Sequence, residues 1–208
     1  MTTSQQRQLL IQKAKHHFNK TDPKLADIMD RVELPFSVIR HSHLEELIQI
    51  IIAQQLSGKA AKTIANKVRQ LCPEKKINLD SLIDIKDVQL REAGMSHAKI
   101  KAVRDLIAHV EDGRFNFRRF NRMADTTIID AITQVKGLGP WSAQMYLMFV
   151  LLRPDVFSPG DLGIRTAIGR LYNLDTQEID IEEFSNRWKP YRTVACWYLW
   201  AYLGSNLI

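Results

Sequence analysis

The chain has 208 residues, 45% hydrophobic and 25% charged, which allows one good core or two small lobes and excludes a disordered or fibrous chain. A net charge of +6 favours a polyanionic partner, although the same charge also suits a merely basic protein. Two cysteines, Cys72 and Cys196, make neither a disulfide framework nor a zinc site and suit a reducing compartment. Met1 to Gln12 lacks the apolar core of a signal peptide, and the longest apolar run, Met145 to Leu152, is too short to span a bilayer.

The patterning is helical nearly throughout. Ser42-His43-Leu44-Glu45 reads as a capping box opening a run from Leu44 to Leu56. Ile64, Val68 and Leu71 share the face of a second helix. Asp87 is expected to cap a short helix that stops at Gly94. Ser96 starts a longer one, with Ile100, Val103, Ile107 and Val110 in register and Gly113 as its stop. Asp125 is expected to cap Thr126 to Val135, burying Ile128, Ile132 and Val135. Trp141 to Leu152 forms the next helix, ended by Pro154, and Asp161 opens a helix reaching Tyr172. Asp180 with Glu183 caps Ile181 to Trp188, and Thr193 to Leu203 closes the chain after Pro190. No alternating run of strand length stands out, so the expected fold is all-α, roughly ten short helices in a single domain over residues 1–208.

The stretch Val135-Lys136-Gly137-Leu138-Gly139-Pro140-Trp141-Ser142 joins two of these helices. Residues 126–152 therefore make a helix-hairpin-helix. Glycine lets a backbone approach an anion closely, and Pro140 stands where a first helical residue is expected. The N–H groups near Gly139, Trp141 and Ser142, with the charge of Lys136, suit a phosphate contact that grips DNA without reading sequence. A plain turn between helices with a glycine cap gives the same pattern. Asp161 reads equally as an ordinary N-cap and as a carboxylate placed to stabilise positive charge on a sugar during glycosidic cleavage.

With the blocks Ile52-Ala53-Gln54-Gln55-Leu56-Ser57-Gly58-Lys59-Ala60, Gly94-Met95-Ser96 with Lys99, and Trp188-Lys189-Pro190-Tyr191-Arg192-Thr193, this region resembles the helix-hairpin-helix DNA glycosylase superfamily. The match is best with its alkylpurine branch, the 3-methyladenine DNA glycosylase II type, over about residues 35–205. The resemblance implies a two-lobed helical fold and makes Asp161 the catalytic carboxylate. It places Trp141 and Trp200 at the base pocket, where a cationic purine stacks on indole, although tryptophans in apolar helices are more often core. It makes Gln54, Gln55 and Leu56 the loop that enters the duplex, with Gln55 as the first choice of wedge and Leu56 the alternative; the same glutamines also read as the solvent-facing end of an apolar helix. Ser57 and Lys59 then begin a helix near a phosphate, joining Lys136, Gly137, Gly139 and Ser142 as expected DNA contacts.

The lyase branch carries a lysine after the hairpin, and here Trp141 holds that place; an indole forms no Schiff base. The implied enzyme is monofunctional, uses water and leaves an abasic site. Met145 and Leu162 depart from the aromatics of some relatives. The iron–sulfur branch needs four cysteines near its end, and only Cys196 is there, so no cluster is expected. The family's hairpin tends to hold a monovalent cation (sodium or potassium) on carbonyls matching Thr133, Val135 and Gly137; no other cofactor is expected. The implied activity is base excision repair of alkylated purines such as 3-methyladenine and 7-methylguanine in double-stranded DNA, by a monomer in the bacterial cytoplasm or the eukaryotic nucleus. The rivals are a non-catalytic lesion binder on the same scaffold and a glycosylase for uracil or mismatched bases. Arg118, Arg119 and Arg122 among Phe115, Phe117 and Phe120 read as a solvated face over a core anchor, Arg165 as a residue approaching DNA or Asp161, and the histidines show no metal-ligand spacing.

Overall fold

A computed structural model describes residues 2–34 and 41–205. The helices, in chain order, are α1 Thr3–Thr21, α2 Pro23–Arg31, α3 His43–Ala53, α4 Gly58–Leu71, α5 Leu79–Asp84, α6 Asp87–Glu92 and α7 His97–Glu111. They continue as α8 Phe117–Phe120, α9 Asp125–Thr133, α10 Pro140–Met145, α11 Leu162–Tyr172, α12 Ile181–Phe184 and α13 Arg192–Leu203. No strand forms among the described residues, as the all-α reading expects. None of these helices is long and apolar enough to cross a membrane. The chain divides into two compact units: Arg40–Tyr146, holding α3 to α10, and Met1–Ile39 with Leu147–Ile208, holding the rest.

In the unit of α3 to α10, Leu47, Ile48, Ile51 and Ile52 of α3 are fully buried, as the periodicity of that run requires. Val68, Leu90, Met95, Leu106, Ile128 and Ile132 complete its core. In the other unit α11 packs on α13, and Phe18, Leu25, Ile164, Ile168, Trp188 and Trp197 are buried.

Several helix ends differ from the sequence reading. Ser42 caps α3 by accepting from the Glu45 amide at 3.1 Å, but the Glu45 carboxylate does not return to the cap; it pairs with Arg69 at 2.7 Å. Asp125 and Asp87 each stand one residue inside their helices, where they favour the positive end of the dipole without capping it. α3 stops at Ala53 because Gln54 turns to an extended ψ of 125°, and Gln55 follows with a left-handed φ of 56°. After Met145 the second hairpin helix widens into a π-helical turn, Tyr146–Val150, instead of continuing as an α-helix to Leu152. Four helices escaped the periodicity altogether: α1, α2, α5 and α8. α1 carries a Thr2–Gln5 capping box, and α2 is capped by Asp22 with Pro23 at its first position.

Candidate nucleic-acid and catalytic site

The hairpin is tied down by its own turn and by two side chains. Val135 carbonyl oxygen accepts from the Leu138 amide at 3.0 Å, and Gly137 sits at φ +83°, where a side chain is strained. A Cβ on Gly137 would also lie 3.1 Å from Ala102 Cβ of α7, so this glycine is required twice. Asp105, also on α7, accepts from the Lys136 amide at 2.8 Å. The Lys136 side chain is 84% exposed, with its ammonium 3.8 Å from Asp105 Oδ1. Gly139 has φ −106° and nothing within 4 Å of a Cβ, so the fold itself does not demand glycine there.

Gln54 donates from Nε2 to the Gly137 carbonyl at 2.9 Å and to Ser142 Oγ at 3.1 Å. Ser142 is 1% exposed, so its hydroxyl faces Gln54 rather than solvent. Next along the chain, Gln55, Leu56, Ser57 and Lys59 are all exposed. Ser57 caps α4 by accepting from the Ala60 amide at 3.3 Å. Lys99 reaches the Ile52 carbonyl at 2.8 Å, satisfying an orphan acceptor at the end of α3, and partial burial pulls its ammonium pKa down. Asp105, Lys99 as a loop anchor and the Gln54 bonds had no signal in the sequence pattern, because each spans dozens of residues.

Among the described residues no group of three acidic, histidine or cysteine side chains could hold a metal. The carbonyls of Thr133, Val135 and Gly137 supply neutral oxygens only. Two of them already accept one hydrogen bond, from Leu138 and Gln54, and a carbonyl has a second lone pair. That donor set fits a monovalent ion better than a divalent one, which favours carboxylates.

In the other unit Asp161 caps α11. Its Oδ1 accepts from the Ile164 amide at 2.9 Å and from the Trp200 indole N–H at 2.9 Å. The structure shows the N-cap role expected of Asp161, and the cap and the indole together fix the position of its Oδ1. Phe149 stacks on Trp200, with ring centroids 5.8 Å apart. Gly163 makes this assembly possible, since a Cβ there would lie 3.1 Å from Asp161 Oδ1 and 3.2 Å from Trp200 Cδ1. Leu162, beside the carboxylate, is 78% exposed. Arg165 turns away from Asp161 and donates to the carbonyls of Pro159 and Thr176. Trp197, Tyr198 and Tyr202 are buried, as expected of core residues. Cys196 lies fully buried, and burial pushes its thiol pKa up, with the Asp161 charge adding to the effect.

Trp141 and Trp200 belong to different units, and each keeps part of its surface exposed. One further cluster lies at the far end of α3. His43 Nδ1 is 2.6 Å from the Tyr146 hydroxyl, and the His43 ring stacks on Phe117. Beside them burial raises the Glu46 carboxyl to about 7, helped by Glu45 and opposed by Arg69.

The chain is similar to solved structures and curated relatives. The chain is 27% identical to a Schizosaccharomyces pombe 3-methyladenine DNA glycosylase solved in complex with abasic DNA, with a TM-score of 0.84 over 93% of this chain and 98% of that one. It is 36% identical to a Bacillus halodurans DNA-3-methyladenine glycosidase, with a TM-score of 0.73 over 88% of this chain and 86% of that one. A Saccharomyces cerevisiae DNA-3-methyladenine glycosylase is 27% identical over 91% of this chain and 79% of its own length. The model of the HhH-GPD superfamily matches residues 48–191, which include Gln54 to Leu56, the hairpin and Asp161, and the chain belongs to this superfamily of base excision DNA repair proteins.

Proposed function

We propose that this protein is a monofunctional DNA glycosylase that hydrolyses the N-glycosidic bond of alkylated purines, 3-methyladenine and 7-methylguanine, in duplex DNA. The observation that carries the reading is Asp161: one carboxylate oxygen is held by a helix amide and an indole N–H. A carboxylate held that way needs little reorganisation to stabilise a cationic sugar.

An alkylated purine is already cationic and leaves readily. As the bond between C1′ and the base nitrogen breaks, the base takes the bonding pair and departs neutral, and positive charge collects on the deoxyribose. Asp161 stabilises that charge, water adds at C1′, and its proton passes to the carboxylate or to solvent. The product is an abasic site. No lysine follows the hairpin at Trp141, so a Schiff-base step with strand cleavage has no nucleophile at that position.

The unit of α3 to α10 supplies the grip. Gly139 is glycine without an internal reason, which fits close approach of a phosphate to the amides opening α10. Gln55, exposed and left-handed, fits a wedge that fills the space of an extruded base. The proposed partner is duplex DNA carrying an alkylated base, bound by a monomer. A monovalent cation on the hairpin carbonyls would strengthen the grip and take no part in the chemistry.

The test is release of 7-methylguanine from methylated duplex DNA, followed by chromatography. Wild type is expected to release free base and leave an intact strand with an abasic site. Asp161→Asn is expected to keep the fold, because Asn also caps well, and to lose at least about a hundredfold in rate. Binding of the lesion without base release at excess protein would overturn the reading in favour of a lesion binder.

A further inference from the structure

The residue before the wedge has a different task from the wedge itself. Gln54 points its amide along the protein, not outward, and its two partners both belong to the hairpin. The orientation of that amide is chemically fixed, because the Gly137 carbonyl can only accept, so the NH2 group must face it. A single side chain therefore bridges the C-terminus of α3 and both sides of the hairpin turn, 83 residues away in sequence for Gly137.

The loop it holds has few other supports. α3 ends at Ala53, Gln55 is left-handed at φ 56°, and the residues from Gln55 to Lys59 are exposed. A left-handed non-glycine residue costs about 1 kcal/mol or more and persists only where neighbours hold it. The supports present are the Leu56 amide on the Ala53 carbonyl at 3.1 Å, Lys99 on the Ile52 carbonyl, and the Gln54 strap. The hairpin, in contrast, has its own second anchor in Asp105.

We propose that Gln54 is a positioning residue that couples the hairpin to the wedge loop, so that gripping a phosphate and inserting Gln55 occur as one rigid step. Its side chain is a brace inside the protein rather than a DNA contact. The inference rests on the glycosylase reading only for what the inserted loop is for.

The test uses a duplex with a tetrahydrofuran abasic analogue flanked by 2-aminopurine, whose fluorescence rises when the stack is opened. This readout needs no chemistry. Two variants separate the cases: Gln54→Met, which keeps length and packing but has no amide, and Ser142→Ala, which leaves the Gly137 contact in place. Wild type is expected to raise the fluorescence at saturating protein. Gln54→Met is expected to bind with a Kd within about threefold of wild type while the rise at saturation falls severalfold, with Ser142→Ala intermediate. A full rise at saturation in Gln54→Met overturns the proposal. So does a Kd weakened about tenfold with a full rise at saturation, because Gln54 would then be touching DNA directly. A wild-type protein that opens the stack yet releases no alkylated base overturns the glycosylase reading alone and leaves the brace standing.

Discussion

The indole nitrogen of Trp200 lies 2.9 Å from Oδ1 of Asp161, an oxygen that also accepts the Ile164 amide. Two donors from different elements, α13 and the first turn of α11, thus fix one carboxylate oxygen in place. Trp200 was expected to contribute its ring to a base. Its ring edge also holds the carboxylate, and Phe149 stacks on the ring. Trp200→Phe should keep that stacking and remove the donor. Single-turnover excision of 7-methylguanine is expected to fall about tenfold, with affinity for the damaged duplex changed less than about threefold. An equal loss in both would mean that Trp200 serves binding alone.

Gly163 offers a sharper dissociation. Gly163 is the second residue of α11, where glycine to alanine stabilises by less than the roughly 1 kcal/mol of a helix interior. Here the new methyl would press on both Asp161 Oδ1 and the Trp200 ring at 3.1–3.2 Å, closer than ordinary contact. Gly163→Ala is expected to leave the urea midpoint close to wild type while excision drops about tenfold, because the carboxylate moves. Loss of stability without loss of rate would show that the tight contact is mere packing.

What the sequence made legible and what it did not follow a physical division. Helices with a strong apolar face, such as α3 and α7, announce themselves by period, and the Gly-Leu-Gly-Pro turn announces the hairpin. α1 buries only Ala14 and Phe18 among nineteen residues, so its period is faint, although the Thr2–Gln5 box and the Asp22-Pro23 start were there to be read. Asp161 was found through family resemblance and its helix-opening position. Its indole partner stands 39 residues on, and a hydrogen bond between distant elements leaves no spacing rule behind. The same holds for Gln54 and for Asp105. Nor does a polar residue type reveal its partner: the Ser142 hydroxyl accepts from the Gln54 amide, and Arg165 donates to the carbonyls of Pro159 and Thr176 rather than to Asp161.

Glu46 makes a prediction in pH. Glu46 is 9% exposed, and burial raises its carboxyl to about 7. A carboxyl with a raised folded-state pKa binds its proton more tightly when folded, so folding is weakened as pH rises from the unfolded value near 4.5 to about 7. Glu46→Gln removes this burden. Its stability should match wild type near pH 4 and exceed it at pH 8 by on the order of 2–3 kcal/mol, read from urea unfolding at both pH values. A constant difference at the two pH values would mean that Glu46 does not titrate across this window.

Asp22 shows how the other unit is fastened without touching the chemistry. It is 4% exposed and caps α2 through the Leu25 amide at 3.1 Å. Its second oxygen accepts from the Tyr172 hydroxyl at 2.6 Å and the Trp188 indole at 2.8 Å, 150 and 166 residues away. Burial and this neighbouring charge push the Tyr172 phenol well above its usual range, so it stays a donor at any physiological pH. Asp22→Ala would strip three donors of their acceptor at once, two of them well inside the core, and should cost about 3 kcal/mol or more. Asp22→Asn keeps the cap but sets an NH2 group against two other donors, so it should recover only part of the loss. Denaturation followed by tryptophan fluorescence, which Trp188 reports directly, gives the order wild type, Asn, Ala. Because Asp161 has its own donors, kcat at a temperature where all three proteins remain folded should stay within about twofold; a larger drop would tie this buried junction to Asp161.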